Sequence, residues 1–159
     1  MAGGRIPTVV ALIVVALLAL GGAAGAASSP TPPTGAWKLN PGGGFTLKRG
    51  KGRNRGRIYL SNYHGRTGAY AGCPSKPTAV TVLGRYPLKR FTRAGYTAWG
   101  VGRNSGGDAT PRAGKVKAAG KTYNGSFYLV FDYSNPRRVI GGSIQFGSCL
   151  TQFLYGSHK

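Results

Sequence analysis

Glutamate is absent from this 159-residue chain, and aspartate occurs only twice, at Asp108 and Asp132. Paired-carboxylate acid–base chemistry, carboxylate cages for Ca²⁺ or Mg²⁺, and two-metal hydrolysis all need more acidic side chains than that. Histidine is equally scarce: His64 and His158 are the only two, and with no spare thiols they disfavour a zinc site. The GxSxG elbow is missing, since Gly125-Ser126-Phe127 and Gly142-Ser143-Ile144 both lack its second glycine. Ser61, His64 and Asp132 could form a triad only in space, and nothing in their spacing supports it. RNP1, zinc-finger and helix-turn-helix patterns are also lacking, which argues against sequence-specific reading of nucleic acid. No metal and no cofactor is expected.

What the chain has in excess is positive charge. Its 22 lysines and arginines give a formal net charge of +20. Such a field attracts anions and strains the compact state by self-repulsion. The densest cluster is Lys48-Arg49-Gly50-Lys51-Gly52-Arg53-Asn54-Arg55-Gly56-Arg57, which contains no acid. Guanidinium forks grip phosphate, sulfate and carboxylate by paired, charge-assisted hydrogen bonds. Arg49, Lys51, Arg53, Arg55 and Arg57 are therefore the candidate anion-binding residues, with Tyr59, Tyr63 and Arg66 as neighbours; the two tyrosines are candidate aromatic contacts. Between its flanking strands the cluster is expected to be a projecting, mobile hairpin loop; the plainer alternative is that it only keeps the protein soluble.

Cations and aromatics also interleave at Arg85-Tyr86, Lys89-Arg90-Phe91, Arg93, Tyr96, Lys121–Tyr123 and Tyr133 near Arg137-Arg138. Rings beside cations suit the bases of single-stranded nucleic acid or the faces of sugars. Tyrosine is also an ordinary strand residue.

The N-terminus reads as an export signal over residues 1–26. Arg5 precedes the apolar run Val9–Leu20, and Ala24-Gly25-Ala26 matches a small-residue cleavage site. An uncleaved membrane anchor is the alternative. Residues 27–44, rich in Pro, Gly, Ser and Thr, read as a flexible linker in which Trp37 and Leu39 either dock as an edge strand or stay exposed. Residues 45–159 form one domain. Cys73 and Cys149, an even pair in an exported chain, are expected to form a disulfide. The expected location is secreted, with association to the cell wall as a variant.

From Phe45 onward no helical periodicity is sustained; short alternating runs are punctuated by glycine, of which there are 28. In SFYLVFDY, Phe127, Leu129, Phe131 and Tyr133 share one face. Asn124-Gly125 predicts a tight turn before it, and Gly141-Gly142 a bulge or close crossing. The expected fold is all-β, an antiparallel β-sandwich or small β-barrel of about eight strands with one disulfide.

Between Ile58 and Tyr155, the stretch GKVKAAGKTYNGSFYLVFDYSNPRRVIGGSIQFGSC, with GAYAGC upstream, resembles the exported, β-rich, single-disulfide domains of actinobacteria. The resemblance implies a fold and no functional residues. Three functions remain in contention. The chain is expected to be a monomeric module binding an anionic polymer or surface: wall polymer, acidic polysaccharide, nucleic acid without sequence preference, or an anionic membrane face. The alternatives are a ribonuclease-like hydrolase using His64, and a ligand-free structural module of the wall.

Overall fold

The computed structural model describes residues 30–159 apart from 69–71, 94–95 and 106–107. The expected export signal over residues 1–26 and its expected cleavage site lie outside the described residues.

Fourteen strands are described: β1 (Gly35–Asn40), β2 (Gly43–Arg49), β3 (Ile58–Arg66), β4 (Ala79–Leu83), β5 (Arg85–Pro87), β6 (Lys89–Arg93), β7 (Tyr96–Val101), β8 (Arg103–Ser105), β9 (Asp108–Thr110), β10 (Arg112–Ala118), β11 (Lys121–Phe131), β12 (Arg138–Phe146), β13 (Cys149–Phe153) and β14 (Tyr155–His158). Hydrogen-bonded neighbours run β12–β14–β1–β2–β3–β4–β10–β11, and β11 pairs back onto β12. The sheet thus closes on itself as an eight-membered antiparallel barrel. Closure removes the open edges through which sheets aggregate. β13 continues the line of β14 along the lower half of β12. The pair β6–β7 extends from the upper half of β11, while β8 and β9 form a separate two-stranded ribbon.

Alternation along the strands sends one face inward, and the interior is filled. Trp37 stacks on Phe45 (5.3 Å between centroids, 14°) and meets the edge of Phe131 at 5.0 Å. Tyr63, Phe127 and Tyr86 carry the aromatic packing onward, at 6.2 Å between Tyr63 and Phe127 and 4.6 Å between Tyr86 and Phe127. Phe127, Leu129 and Phe131 are fully buried, as their alternation predicts, whereas Tyr133 lies past the strand end and is exposed.

Two sequence expectations change. The barrel begins inside the segment expected to be a linker: Gly35–Asn40 is a strand paired on both sides, and Trp37 and Leu39 point into the core. Without it the ring could not close, so docking wins over exposure. Asn124-Gly125 is not a turn but lies within β11, paired to Lys115 and Gly114. There the side chain of Val116 and the carbonyl of Gln145 occupy the space a Cβ would need at Gly125, so close packing calls for that glycine. The β10–β11 turn is Ala119-Gly120, both at positive φ (48° and 76°) as a primed hairpin turn requires. His158 helps to close the ring: it pairs with Trp37 in register and packs edge-on to its ring.

Strand directions give the barrel two ends. At the lower end lie the β1–β2 turn, the 67–78 loop and the β10–β11 and β12–β13 turns. Cys73 in that loop is bonded to Cys149 at the head of β13, with Cα atoms 4.4 Å apart. At the upper end lie the β2–β3 loop, the β11–β12 turn and the C-terminus. Among the described residues no helix is long and apolar enough to cross a membrane.

Candidate anion-binding site

The basic cluster forms the upper β2–β3 loop. β2 and β3 stay paired up to Arg49 and Ile58. Beyond them the loop is organised by its own backbone: Gly50 N–H donates to the Arg57 carbonyl (2.8 Å), Asn54 N–H to Lys51 (3.1 Å), Arg55 N–H to Gly52 (3.0 Å) and Arg57 N–H to Asn54 (3.1 Å). A single 3₁₀ turn spans Gly52–Asn54. The Asn54 backbone fills the space a Cβ would need at Gly50, while Gly52 and Gly56 take positive φ (57° and 89°). Glycine therefore folds this loop back on itself. Residues 51–57 are all exposed.

Beside the folded loop is a concavity of about 460 Å³ lined by Lys48, Arg49, Lys51, Asn54, Ser61 and Arg85. Register explains its composition. Lys48, Tyr59 and Pro87 form one cross-strand row of β2, β3 and β5, and Thr46, Ser61 and Arg85 the next. Alternation turns both rows outward. The Arg85 guanidinium lies 4.0 Å from the centre of the Tyr59 ring. That cation–π contact, worth about 0.5–1 kcal/mol at an exposed site, holds the charge at the concavity's edge. Ser61 Oγ donates to the Thr46 carbonyl (3.3 Å) and so serves as wall more than as donor. Four cations face this space, and no carboxylate lines it.

The candidate residues divide accordingly. Arg49 and Lys51 line the concavity; Arg53, Arg55 and Arg57 surround it from the exposed loop; Tyr59 forms the platform beneath Arg85. Arg66 is exposed at the other end of β3, about 26 Å away along an extended strand. Tyr63, expected as an aromatic contact, lies inside the barrel. It is buried at 1% exposure, and its hydroxyl donates to the Tyr128 carbonyl (3.0 Å), so it contacts no ligand. Burial pushes its phenol well above the usual pKa. The reason is a bulge: Asn62 has φ 52°, and the β2–β3 register shifts there, so the face that carries Tyr59 and Ser61 outward turns Tyr63 inward. Lys48, Asn54, Ser61 and Arg85 complete the site without having been singled out as ligands.

The catalytic alternatives find less support. His64 is exposed, with Nδ1 2.7 Å from the Asn62 carbonyl, and borders a different groove of about 440 Å³ over Gly42–Gly44 that Lys38 and Lys159 also line. Asp132 is engaged in its own turn, accepting bonds from Ser134 N–H (2.8 Å) and Oγ (2.7 Å). The Ser134 hydroxyl bond chiefly, helped by the Ser134 and Asn135 amides and by Arg138, holds this carboxyl below its ordinary pKa. Ser61 and His64 thus line separate concavities and Asp132 is committed elsewhere, so the triad is not assembled. The side chain of Asp108 lies outside the described residues. Among the described residues no group of three or more His, Cys, Asp or Glu could hold a metal.

Comparison with protein families, with characterised proteins and with solved structures returns no match.

Proposed function

We propose that this chain is an exported binding module that grips anionic polymers at the upper mouth of its barrel. One observation carries the reading: Lys48, Arg49, Lys51 and Arg85 converge on a single concavity with no lining carboxylate. Such a cluster gains most from a ligand that brings several negative charges at once. The exposed Arg53, Arg55 and Arg57 extend the positive surface beside it, so a chain of phosphates, sulfates or uronates can continue past the concavity. Wall polymers, acidic polysaccharides and single-stranded nucleic acid all present that pattern, and recognition follows charge spacing, not sequence. The Cys73–Cys149 bond fits an oxidising compartment, consistent with export.

The test compares two triple variants of equal charge change. Lys48→Ser/Arg49→Ser/Arg85→Ser removes the concavity's cations; Arg53→Ser/Arg55→Ser/Arg57→Ser removes the loop tip's. Affinity for labelled polyuridylate and for a sulfated polysaccharide should fall at least tenfold further in the first variant than in the second. Equal losses would assign binding to diffuse charge and overturn the site. The same polyuridylate reactions report on the ribonuclease-like reading, favoured only by Lys38 and Lys159 sharing a groove with His64. The RNA should remain intact, and cleavage that disappears in His64→Ala would replace a binding module with a hydrolase.

A further inference from the structure

The barrel carries a second surface whose chemistry differs from the basic mouth. β12 and the β13–β14 line run in one continuous antiparallel register, with Gly142 opposite Phe153 and Val139 opposite Gly156. The stretch between those pairs therefore sets Ile140 against Tyr155 and Gly141 against Leu154. Phe153 and Gly156 face inward, so Leu154 and Tyr155 both turn outward where β13 bends into β14. Leu154 is 67% exposed, Tyr155 55% and Ile140 48%, on a molecule that otherwise buries most of its large apolar side chains. The next outward row along the same strands is Arg138, Ser157 and Lys38. Arg137 precedes it in the exposed β11–β12 turn. Protruding apolar tips are thus bordered by three cations.

From this arrangement we infer that the Ile140–Leu154–Tyr155 flank docks onto an anionic lipid surface. Contiguous exposed apolar side chains with a polar rim mark interaction surfaces. A second copy of the chain is a poor occupant. A two-fold contact would bring Lys38, Arg137 and Arg138 of both copies together, and Asp132 beside Arg138, already engaged by Ser134, offsets only one of the three. A lipid surface answers both features at once. Leu154 and Ile140 enter the headgroup–acyl boundary, Tyr155 lies at the depth that tyrosine favours, and Lys38, Arg137 and Arg138 meet anionic headgroups. Near such a surface each cation contributes about fivefold in affinity. Three apolar tips or three cations alone give weak attachment; together they give selective attachment. This inference stands on residues separate from the polymer site and does not depend on it.

Co-sedimentation with phosphatidylcholine vesicles, with and without phosphatidylglycerol, tests it at physiological salt. Binding is expected only where phosphatidylglycerol is present. Leu154→Ser/Tyr155→Ser, which leaves the charge unchanged, should weaken it tenfold or more, and Arg137→Ser/Arg138→Ser should weaken it comparably. Lys48→Ser/Arg49→Ser/Arg85→Ser should retain most of it, although that variant loses polymer binding in lipid-free assays. A Tyr155→Trp variant should show a blue-shifted emission increase on vesicle binding that the wild type lacks. Wild-type-like binding by Leu154→Ser/Tyr155→Ser would overturn the proposal in favour of diffuse charge. Loss of binding in the concavity variant would transfer attachment to the mouth. No vesicle binding would overturn the proposal outright, and a concentration-dependent dimer abolished by Leu154→Ser would make the occupant a second copy instead.

Discussion

Replacing Cys73 and Cys149 by serine should lower the thermal midpoint by about 18 °C. The bond closes a loop with a sequence separation of 76, and constraining the unfolded chain to that extent stabilises the fold by about 4–5 kcal/mol on the chain-entropy model. For a domain of this size, each kcal/mol moves the midpoint by about 4 °C. The folded state should change little, because the 67–78 loop has other ties. Thr67 N–H donates to the Thr78 carbonyl (2.9 Å), Thr78 N–H to Thr67 Oγ1 (2.9 Å), and Ser148 Oγ to the Gly72 carbonyl (3.2 Å). Calorimetry of the oxidised protein, the reduced protein and the double variant checks this, with the reduced protein controlling for two hydroxyls in place of the thiols. A drop below about 5 °C would show that the unfolded chain already holds these ends near each other.

Local pattern was legible in the sequence; distant pairing was not. The alternation in SFYLVFDY places Phe127, Leu129 and Phe131 in the core because it needs only a strand with one wet face. Gly141-Gly142 marks an irregularity that the structure contains: the β11–β12 register shifts between Val130 and Phe131, and the Tyr63 hydroxyl occupies the space a Cβ would need at Gly142. Asn124-Gly125 misleads because a glycine wanted for interior packing looks the same, in sequence, as a glycine wanted for a turn. Tyr63 misleads for a related reason: one residue of bulge at Asn62 reverses the face of everything after it. The basic cluster itself is visible by composition, but its partner Arg85 is not. Only the pairing of β3 with β5 brings Arg85 over Tyr59 and beside Lys48, and no local rule over ten residues contains that fact.

Affinity for polyuridylate should fall roughly fiftyfold between about 50 and 200 mM salt. Four cations at the concavity, each displacing most of one counterion, give a log–log slope of about −2.8 on a single strand such as polyuridylate. Both triple variants lose the same formal charge, so a diffuse field predicts equal slopes for them. Convergence predicts otherwise: Lys48→Ser/Arg49→Ser/Arg85→Ser should retain a slope of about −0.7, whereas Arg53→Ser/Arg55→Ser/Arg57→Ser should keep most of the wild-type value. Tyr59→Leu offers a finer measure, because it removes the ring that holds Arg85 in place while leaving every charge intact. Its slope should stay close to wild type while affinity drops severalfold, since the loss falls on the placement of a charge and not on the number of counterions released. Titrations of polyuridylate at four or five salt concentrations separate these outcomes. Identical slopes for the two triple variants would reduce the concavity to one part of a uniformly positive surface.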